Sequence, residues 1–258
     1  MKLSRVKMLA LAALFLSPAI AWAAPGDGLL GTDHDFASGL GAQTAGVPVG
    51  LCTFCHTPHK AMSTLLLWNH TLSSATFNWD VPTTTAGTNF PTILGPSYKG
   101  ATAKCLSCHD GSVAIGDIAW FKETNYPGGT GLSTFKMSSE PSHQVGGGGA
   151  MAGNHPVAMP YPYNNAANTY NASTTGPAAT LGEWQADPTL LASSKIRLFN
   201  DNGSGAISAG VVAGKTGIEC STCHDPHNKA AVDEMFLRGM ITGSTQGDGY
   251  LCLQCHKK

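Results

Sequence analysis

Charged side chains are scarce in this sequence. They make up 12% of its 258 residues, and 15 basic residues stand against 16 acidic ones. A chain with a formal net charge of −1 lacks the basic surface that binds a phosphate backbone, so we predict no nucleic-acid partner. Low charge, together with 31 glycines and 15 prolines, also disfavours long helices and an ordinary core of packed side chains.

Apolar runs long enough to cross a membrane are absent too. The run from Met8 to Ile20 has 13 residues, whereas a spanning helix needs about 20. This run follows the basic stretch 1–7 and precedes the small-residue sequence AWA at 21–23. That order is typical of a cleaved signal peptide. We therefore predict a signal peptide over 1–23, an exported mature chain beginning at Ala24, and no stable membrane insertion.

Cysteine is absent outside one motif. The eight cysteines form four C-x-x-C-H motifs, which we number one to four in chain order, and none is left over. This motif attaches haem c, because its two thiols bond the porphyrin and the adjacent histidine binds the iron. The predicted attachment residues are Cys52, Cys55, Cys105, Cys108, Cys220, Cys223, Cys252 and Cys255, and the predicted proximal iron ligands are His56, His109, His224 and His256.

Three other uses of cysteine pairs fit the motifs less well. A disulfide framework, a zinc site and a thioredoxin-type redox pair do not require a histidine after every second cysteine. The sequence therefore predicts four covalently bound haem c groups with their iron, and no catalytic residue.

The motifs also indicate an internal repeat. CTFCHTPHKA, which begins at Cys52, returns as CSTCHDPHNKA from Cys220, and CLSCH returns as CLQCH. We predict one tetrahaem domain over 24–258, with two-haem modules at about 34–118 and 197–258 joined by a Gly/Asn/Thr-rich segment. The predicted fold class is an irregular, haem-packed multihaem cytochrome c, mostly loops and turns with a few short α-helices and little β. The clearest helical segment is Ala231–Met240.

A histidine follows each C-H-x-P sequence, and its short distance from the proximal histidine limits which iron it can bind. His59 lies three residues after His56, and so short a chain cannot pass round the haem to its opposite face. His59 and His227 are therefore predicted to bind an iron other than the one bound beside them. The alternative is that they bind no iron and hydrogen-bond a haem propionate. Four distal ligands are needed from five candidates, which are His34, His59, His70, His155 and His227.

The other candidates differ in their surroundings. The proline after His155 holds that residue extended, which suits a preformed ligand. His34 lies on an N-terminal arm that we expect to dock on a neighbouring subunit and ligate a haem there. His70, in an apolar run, is either a ligand or a haem-packing residue. His143 borders a glycine run and is predicted to be solvated surface.

Several short sequence segments together resemble a known family. TDHDF, CTFCHTPH, LLWNHTLSSAT, CLSCHDGSVA, GNHPVA and CHDPH are similar to sequences of the extracellular tetrahaem cytochromes of metal-reducing bacteria that polymerise into conductive filaments, the OmcE-like cytochromes. The resemblance implies bis-histidine ligation of all four haems and export to the cell surface. It also implies a homopolymer with a continuous haem stack, in which one histidine ligand crosses each subunit boundary.

Three functions remain open at this point. We expect extracellular electron transfer by a filament subunit, with other redox proteins and acceptors such as metal oxides as partners. A soluble periplasmic electron shuttle is the first alternative, and a multihaem reductase with an open haem site is the second. The ten histidines exceed the eight axial positions of four haems, which favours an electron-transfer protein over an enzyme.

The holo protein should contain four low-spin, six-coordinate haems of low potential, because paired imidazoles lack the methionine ligand that raises the potential. A pyridine haemochrome assay would count the haems and electron paramagnetic resonance would report their spin state. A high-spin signal close to one per chain would contradict this and favour the reductase.

Overall fold

A computed structural model describes residues 23–36, 50–59, 61–62, 65–78, 100–119, 135–139, 141–161, 184–185, 187–190, 195–201, 207–212 and 215–257. The predicted signal peptide lies outside these ranges except for its last residue. None of the helices in the described part of the chain has the length and apolar character needed to cross a membrane.

Short helical turns carry the C-x-x-C-H motifs. Motifs two, three and four coincide with α1 (Ala101–His109), α2 (Cys220–Cys223) and α3 (Leu251–Cys255). Motif one makes the same kind of turn, since the backbone N–H of His56 donates to the Cys52 carbonyl over 2.9 Å. Residues three apart on a helical turn share a face, so the two thiols of each motif lie on the same side. Further 3-10 turns span Leu65–Leu67, Met137–Ser139, Gly147–Gly149 and Pro188–Leu190.

A small antiparallel sheet positions the third motif. Its strands are β1 (Met159–Pro160), β2 (Phe199–Asp201), β3 (Ile207–Ala209) and β4 (Thr216–Ile218), in the spatial order β1-β4-β2-β3. Phe199 of β2 is paired with Ala209 on one side and Gly217 on the other. Strand β4 runs directly into Glu219, the N-cap of α2, so the sheet sets where the third motif begins.

Glu219 links the second and third motifs through buried hydrogen bonds. Its side chain is fully buried, and its Oε2 accepts the backbone N–H of Thr102 over 2.9 Å and the Thr102 hydroxyl over 2.5 Å. The backbone N–H of Cys220 donates back to that hydroxyl over 3.1 Å. A carboxylate at the first turn satisfies a free amide and complements the helix dipole. The start of α1 is thereby joined to the start of α2.

Two small apolar clusters lie beside the motifs. In the first, the rings of Phe36 and Phe54 stack with centroids 4.2 Å apart, and the partly buried Cys55 and Cys108 pack against the cluster. The second includes Leu106 of α1. Apolar packing in the described part thus gathers around the attachment sites, while a core made of haem stays a prediction. The clusters are Phe36, Phe54, Ile115 and Ile118, and Phe77, Leu106, Met151 and Ala158.

The expected helix over Ala231–Met240 is wrong. The segment forms turns, and Met235 and Phe236 have φ values of 54° and 58° in the left-handed region. A helix would direct the carbonyl groups of these two residues along its own axis. Here the Met235 carbonyl accepts from the His224 ring and the Phe236 carbonyl accepts from the Asp225 backbone. Tertiary hydrogen bonds therefore override the helical pattern.

Asn69 and Arg238 hold motifs one and three in the same way. The backbone N–H of each donates to the carbonyl of the second cysteine of its motif, over 2.9 and 2.8 Å. The side chain of each then reaches inside the motif turn. Asn69 Nδ2 donates to the Thr53 carbonyl over 2.7 Å, and Arg238 Nε donates to the Ser221 carbonyl over 3.1 Å. A buried polar residue thus stabilises each of these two turns.

Arg238→Met should destabilise the holo protein by about 1.5–3 kcal/mol, because it removes a charged hydrogen-bond partner of Asp225 while the backbone N–H donors to that carboxylate remain. Arg238 is 2% exposed, and its Nη2 lies 3.2 Å from Asp225 Oδ1. Guanidinium denaturation followed by far-ultraviolet circular dichroism would measure the change. The matched control is Arg197→Met, since Arg197 is exposed and surface substitutions usually change stability by less than about 0.5 kcal/mol. Equal midpoints for the two variants would contradict the role of the ion pair.

Candidate haem sites

The eight motif cysteines are all free thiols in the structure. The described residues, which include every cysteine and histidine of the chain, contain no group of three or more His, Cys, Asp or Glu that could hold one metal ion. Covalent attachment of haem to the four thiol pairs stays a prediction from the motifs.

Three proximal histidines share one hydrogen-bonding arrangement. In each, ring atom Nδ1 lies at hydrogen-bond distance from a backbone carbonyl oxygen. A carbonyl can only accept, so Nδ1 carries the proton and Nε2 keeps its lone pair. Metal-binding histidines commonly donate their other ring N–H to such a carbonyl. The three contacts are His56 to Leu66 at 2.6 Å, His109 to His143 at 2.9 Å and His224 to Met235 at 2.7 Å.

The carbonyl partners of His56 and His224 belong to unusual backbone. Leu66 and Met235 have φ values of 62° and 54°, a region that residues with a side chain seldom adopt. Their side chains are 62% and 65% exposed, so burial of these side chains does not account for the conformation. The conformation instead directs each carbonyl at the imidazole of its motif.

Three proximal rings face a second histidine ring. The centroid separations are 6.1 Å for His109 with His34, 6.2 Å for His56 with His227 and 6.4 Å for His256 with His155. With metal–imidazole bonds of about 2 Å and a ring centre roughly 1.1 Å from each nitrogen, two trans axial rings have centres about 6.2 Å apart. The three pairs therefore fit two axial ligands on either side of one haem iron.

The distal members of these pairs also present Nε2. Nδ1 of His34 lies 3.4 Å from the Pro226 carbonyl, and Nδ1 of His155 lies 2.9 Å from the Pro156 carbonyl. Nδ1 of His227 lies 3.9 Å from Asp225 Oδ1. In each of these rings a polar group of the protein lies near Nδ1, so Nε2 is the nitrogen that could bind a metal.

Burial keeps His34 neutral. Its ring stacks on Phe236 with centroids 4.9 Å apart. Burial first, and the neighbouring His109 second, lower the pKa of His34 to about 4. Imidazole binds metals in its neutral form, so His34 is in the binding form at neutral pH.

His70 differs from the other candidates. It is 1% exposed, and its Nδ1 and Nε2 lie 2.9 and 2.8 Å from the carbonyls of Thr71 and Ala114. Both ring nitrogens thus lie against backbone carbonyl oxygens. This geometry favours a structural role for His70, in which the ring joins the segment after motif one to the segment after motif two.

His59 and His224 remain without a paired ring. The His59 side chain is exposed, and among the described residues it makes no hydrogen bond or ring contact. Within the described ranges, His224 is the one proximal histidine whose ring has no second histidine ring at a centroid separation of 6.1 to 6.4 Å. His143 is exposed, as predicted, and contributes its carbonyl to His109.

Thiols of successive motifs lie close enough to raise one another's pKa. Burial, and then the second thiol of motif one, raise the pKa of Cys108 to about 12. A hydrogen bond with Cys105, followed by burial, raises the pKa of Cys220. Burial, and then Cys223, raise the pKa of Cys255 to about 12. Contacts agree with the order of the motifs in the sequence. Cys55 and Cys108 pack against one apolar cluster, Glu219 joins the start of motif three to the helix of motif two, and the Leu251 N–H at the start of α3 donates to the Met240 carbonyl over 2.8 Å. Motifs that follow one another in the sequence are therefore neighbours.

Residues 211–258 match the family model of the doubled CXXCH motif. The matched range holds motifs three and four. The match supports a multihaem c-type cytochrome. It also supports covalently bound haem c, while the number of four haems rests on the motif count. No curated protein matches the sequence.

Sequence reasoning missed the carbonyl partners of the proximal histidines. They lie 10, 34 and 11 residues from the histidines of motifs one, two and three. A backbone carbonyl can come from any residue type, so residue identity does not mark these partners. The one available signal is the repeat, since the partners of motifs one and three lie at nearly the same offset from their histidines.

His227→Ala should convert one haem per chain to a high-spin form, because it removes the ring that faces His56. His70→Ala is the matched control and should leave all haems low-spin, since both nitrogens of His70 are held by carbonyls. Electron paramagnetic resonance of the two purified variants, with and without added imidazole, measures this. The opposite pattern, with His70→Ala high-spin and His227→Ala unchanged, would contradict the pairing.

Proposed function

We propose that this chain is an electron conduit in which four haem c groups, one at each motif, are each bound by two histidines. The observation that carries this proposal is the set of three histidine pairs with ring centres 6.1 to 6.4 Å apart. An iron with two axial imidazoles has no open position for a substrate, so the pairs favour electron transfer over a reductase. We assign His34, His155 and His227 as distal ligands within the chain.

The order of the attachment sites supports passage of electrons along the chain of haems. Neighbouring motifs place their thiols next to one another, and covalent attachment then keeps adjacent macrocycles close. When bound, the haems supply reversible one-electron redox chemistry. The protein's own histidines would hold the irons, and backbone carbonyls fix the tautomer of those whose Nδ1 they accept from. The buried contact between Glu219 and Thr102 keeps motifs two and three in register.

His59 and His224, neither of which has a second histidine ring beside it, support self-association. His59 is exposed and His224 lacks a facing ring, so we propose that His59 of one copy binds the motif-three iron of the next. The sequence predicts that His34 bridges two copies. In the structure His34 faces His109 of its own chain, so we propose His59 for this role instead. A head-to-tail contact of this kind does not close on itself and generates a filament. An exported filament subunit that delivers electrons to external acceptors agrees with the family resemblance.

His59→Ala should abolish filaments and leave one high-spin haem per chain, because it removes the ligand that joins two copies. The matched control, His143→Ala, replaces another exposed histidine and should change neither property. Negative-stain microscopy reports assembly. Binding of carbon monoxide by the reduced protein reports open irons, and we expect it only in the His59 variant.

Other results would distinguish the alternatives. His59→Ala filaments with all haems low-spin would overturn the proposed junction. A monomeric wild type in which His59→Ala still opens one haem would place His59 within its own chain and favour the periplasmic shuttle. Carbon monoxide bound by one haem of the wild type would favour the reductase.

A further inference from the structure

Asn228 holds the N-terminal arm, residues 24–28, against the loop of the third motif. Its side chain is 2% exposed. Oδ1 accepts the backbone N–H of Gly26 over 3.2 Å, and Nδ2 donates to the carbonyls of Ala24 and Gly28, both over 3.0 Å. The Asn228 carbonyl accepts the Gly28 N–H over 3.1 Å. The sequence predicts docking of this arm on a neighbouring subunit, whereas in the structure it docks on its own chain.

The loop that carries Asn228 is itself held firmly. Asn228 has a φ of 53°, a left-handed conformation that asparagine tolerates better than most residues. Its N–H donates to the Asp225 carbonyl over 2.9 Å. Oδ2 of Asp225 accepts the backbone N–H groups of Lys229 and Ala230 over 2.8 and 2.5 Å. The amide of Asn228 therefore has a fixed position relative to its neighbour His227.

Short turns carry this anchoring from the arm to His34. The Thr32 hydroxyl donates to the Leu29 carbonyl over 2.7 Å, and Oδ2 of Asp35 accepts the Gly31 N–H over 2.8 Å. Asp35 is fully buried. The His34 ring then lies 3.4 Å from the Pro226 carbonyl, which belongs to the same loop as Asn228. The loop 225–229 thus contacts the N-terminal arm at residues 24–28, and it contacts His34 as well.

We propose that the loop 225–229 sets the distal ligation of two irons. His227 faces the proximal ligand of motif one directly. Asn228 and Pro226 hold the arm so that His34 faces the proximal ligand of motif two. Asn228 acts as a positioning residue through the arm. The proposal rests on the histidine pairing proposed above and extends it, because it ties the coordination of the motif-two iron to a residue that touches no haem ligand of that motif.

Asn228→Gly should give a several-fold rise in high-spin signal over the wild type, and added imidazole should restore the low-spin spectrum. Glycine accepts the positive φ, so this variant removes the side-chain hydrogen bonds of Asn228 without backbone strain and keeps the backbone ones. Asn228→Ala removes the same bonds with strain and should give at least the same signal. Asn200→Ala is the matched control. Asn200 is a buried asparagine of the sheet whose Nδ2 donates to two carbonyls, and its loss should leave all haems low-spin.

Double variants identify the iron. In the His34→Ala background, Asn228→Gly should add no further high-spin haem, because both changes act on the motif-two iron. In the His227→Ala background it should add a second one. A low-spin Asn228→Gly protein alongside a high-spin His34→Ala protein would overturn the role of Asn228. A low-spin His34→Ala protein would instead overturn the pairing of His34 with His109, and the proposal about the loop with it.

Discussion

The hydrogen bond from a proximal imidazole to a distant backbone carbonyl is the constraint on which the rest of the structure depends. It fixes the proton on Nδ1 and leaves Nε2 for iron. Because the acceptor must come from another part of the chain, each motif needs a segment that returns to it. That requirement accounts for the left-handed backbone at Leu66 and Met235, and for the failure of the helix expected around the second of them.

The same requirement makes the motifs depend on one another. The loop after motif three presents His227 to motif one and holds the arm that presents His34 to motif two. Glu219, just before motif three, caps the helix of motif two. With few charges and small apolar clusters, the described part of the chain relies on these buried polar contacts to place its haem-binding residues. Each contact joins segments far apart in sequence, so the motifs share their supports.

The sequence predicts the chemistry, whereas most of the geometry comes only from the structure. Spacing alone indicated where haem attaches and which imidazole lies beside each thiol pair, and the limited reach of the H-x-P-H segment anticipates that His227 faces His56 rather than His224. The supports were hidden, because Asn228 contacts a segment 200 to 204 residues away and backbone acceptors carry no residue signature. His70 shows the other limit. Its sequence context fits a ligand as well as a structural residue, and only the two carbonyls at its ring separate these roles.

The contact between Thr102 and Glu219 spans 117 residues, which matters for a chain that is made from its N-terminus. Synthesis proceeds at roughly 5–20 residues per second, so the second motif emerges several seconds before the carboxylate that caps its helix. During that interval the first turn of α1 has no such partner, and Cys105 lacks the neighbouring Cys220. The thiols of motif two are therefore most accessible before motif three packs against them.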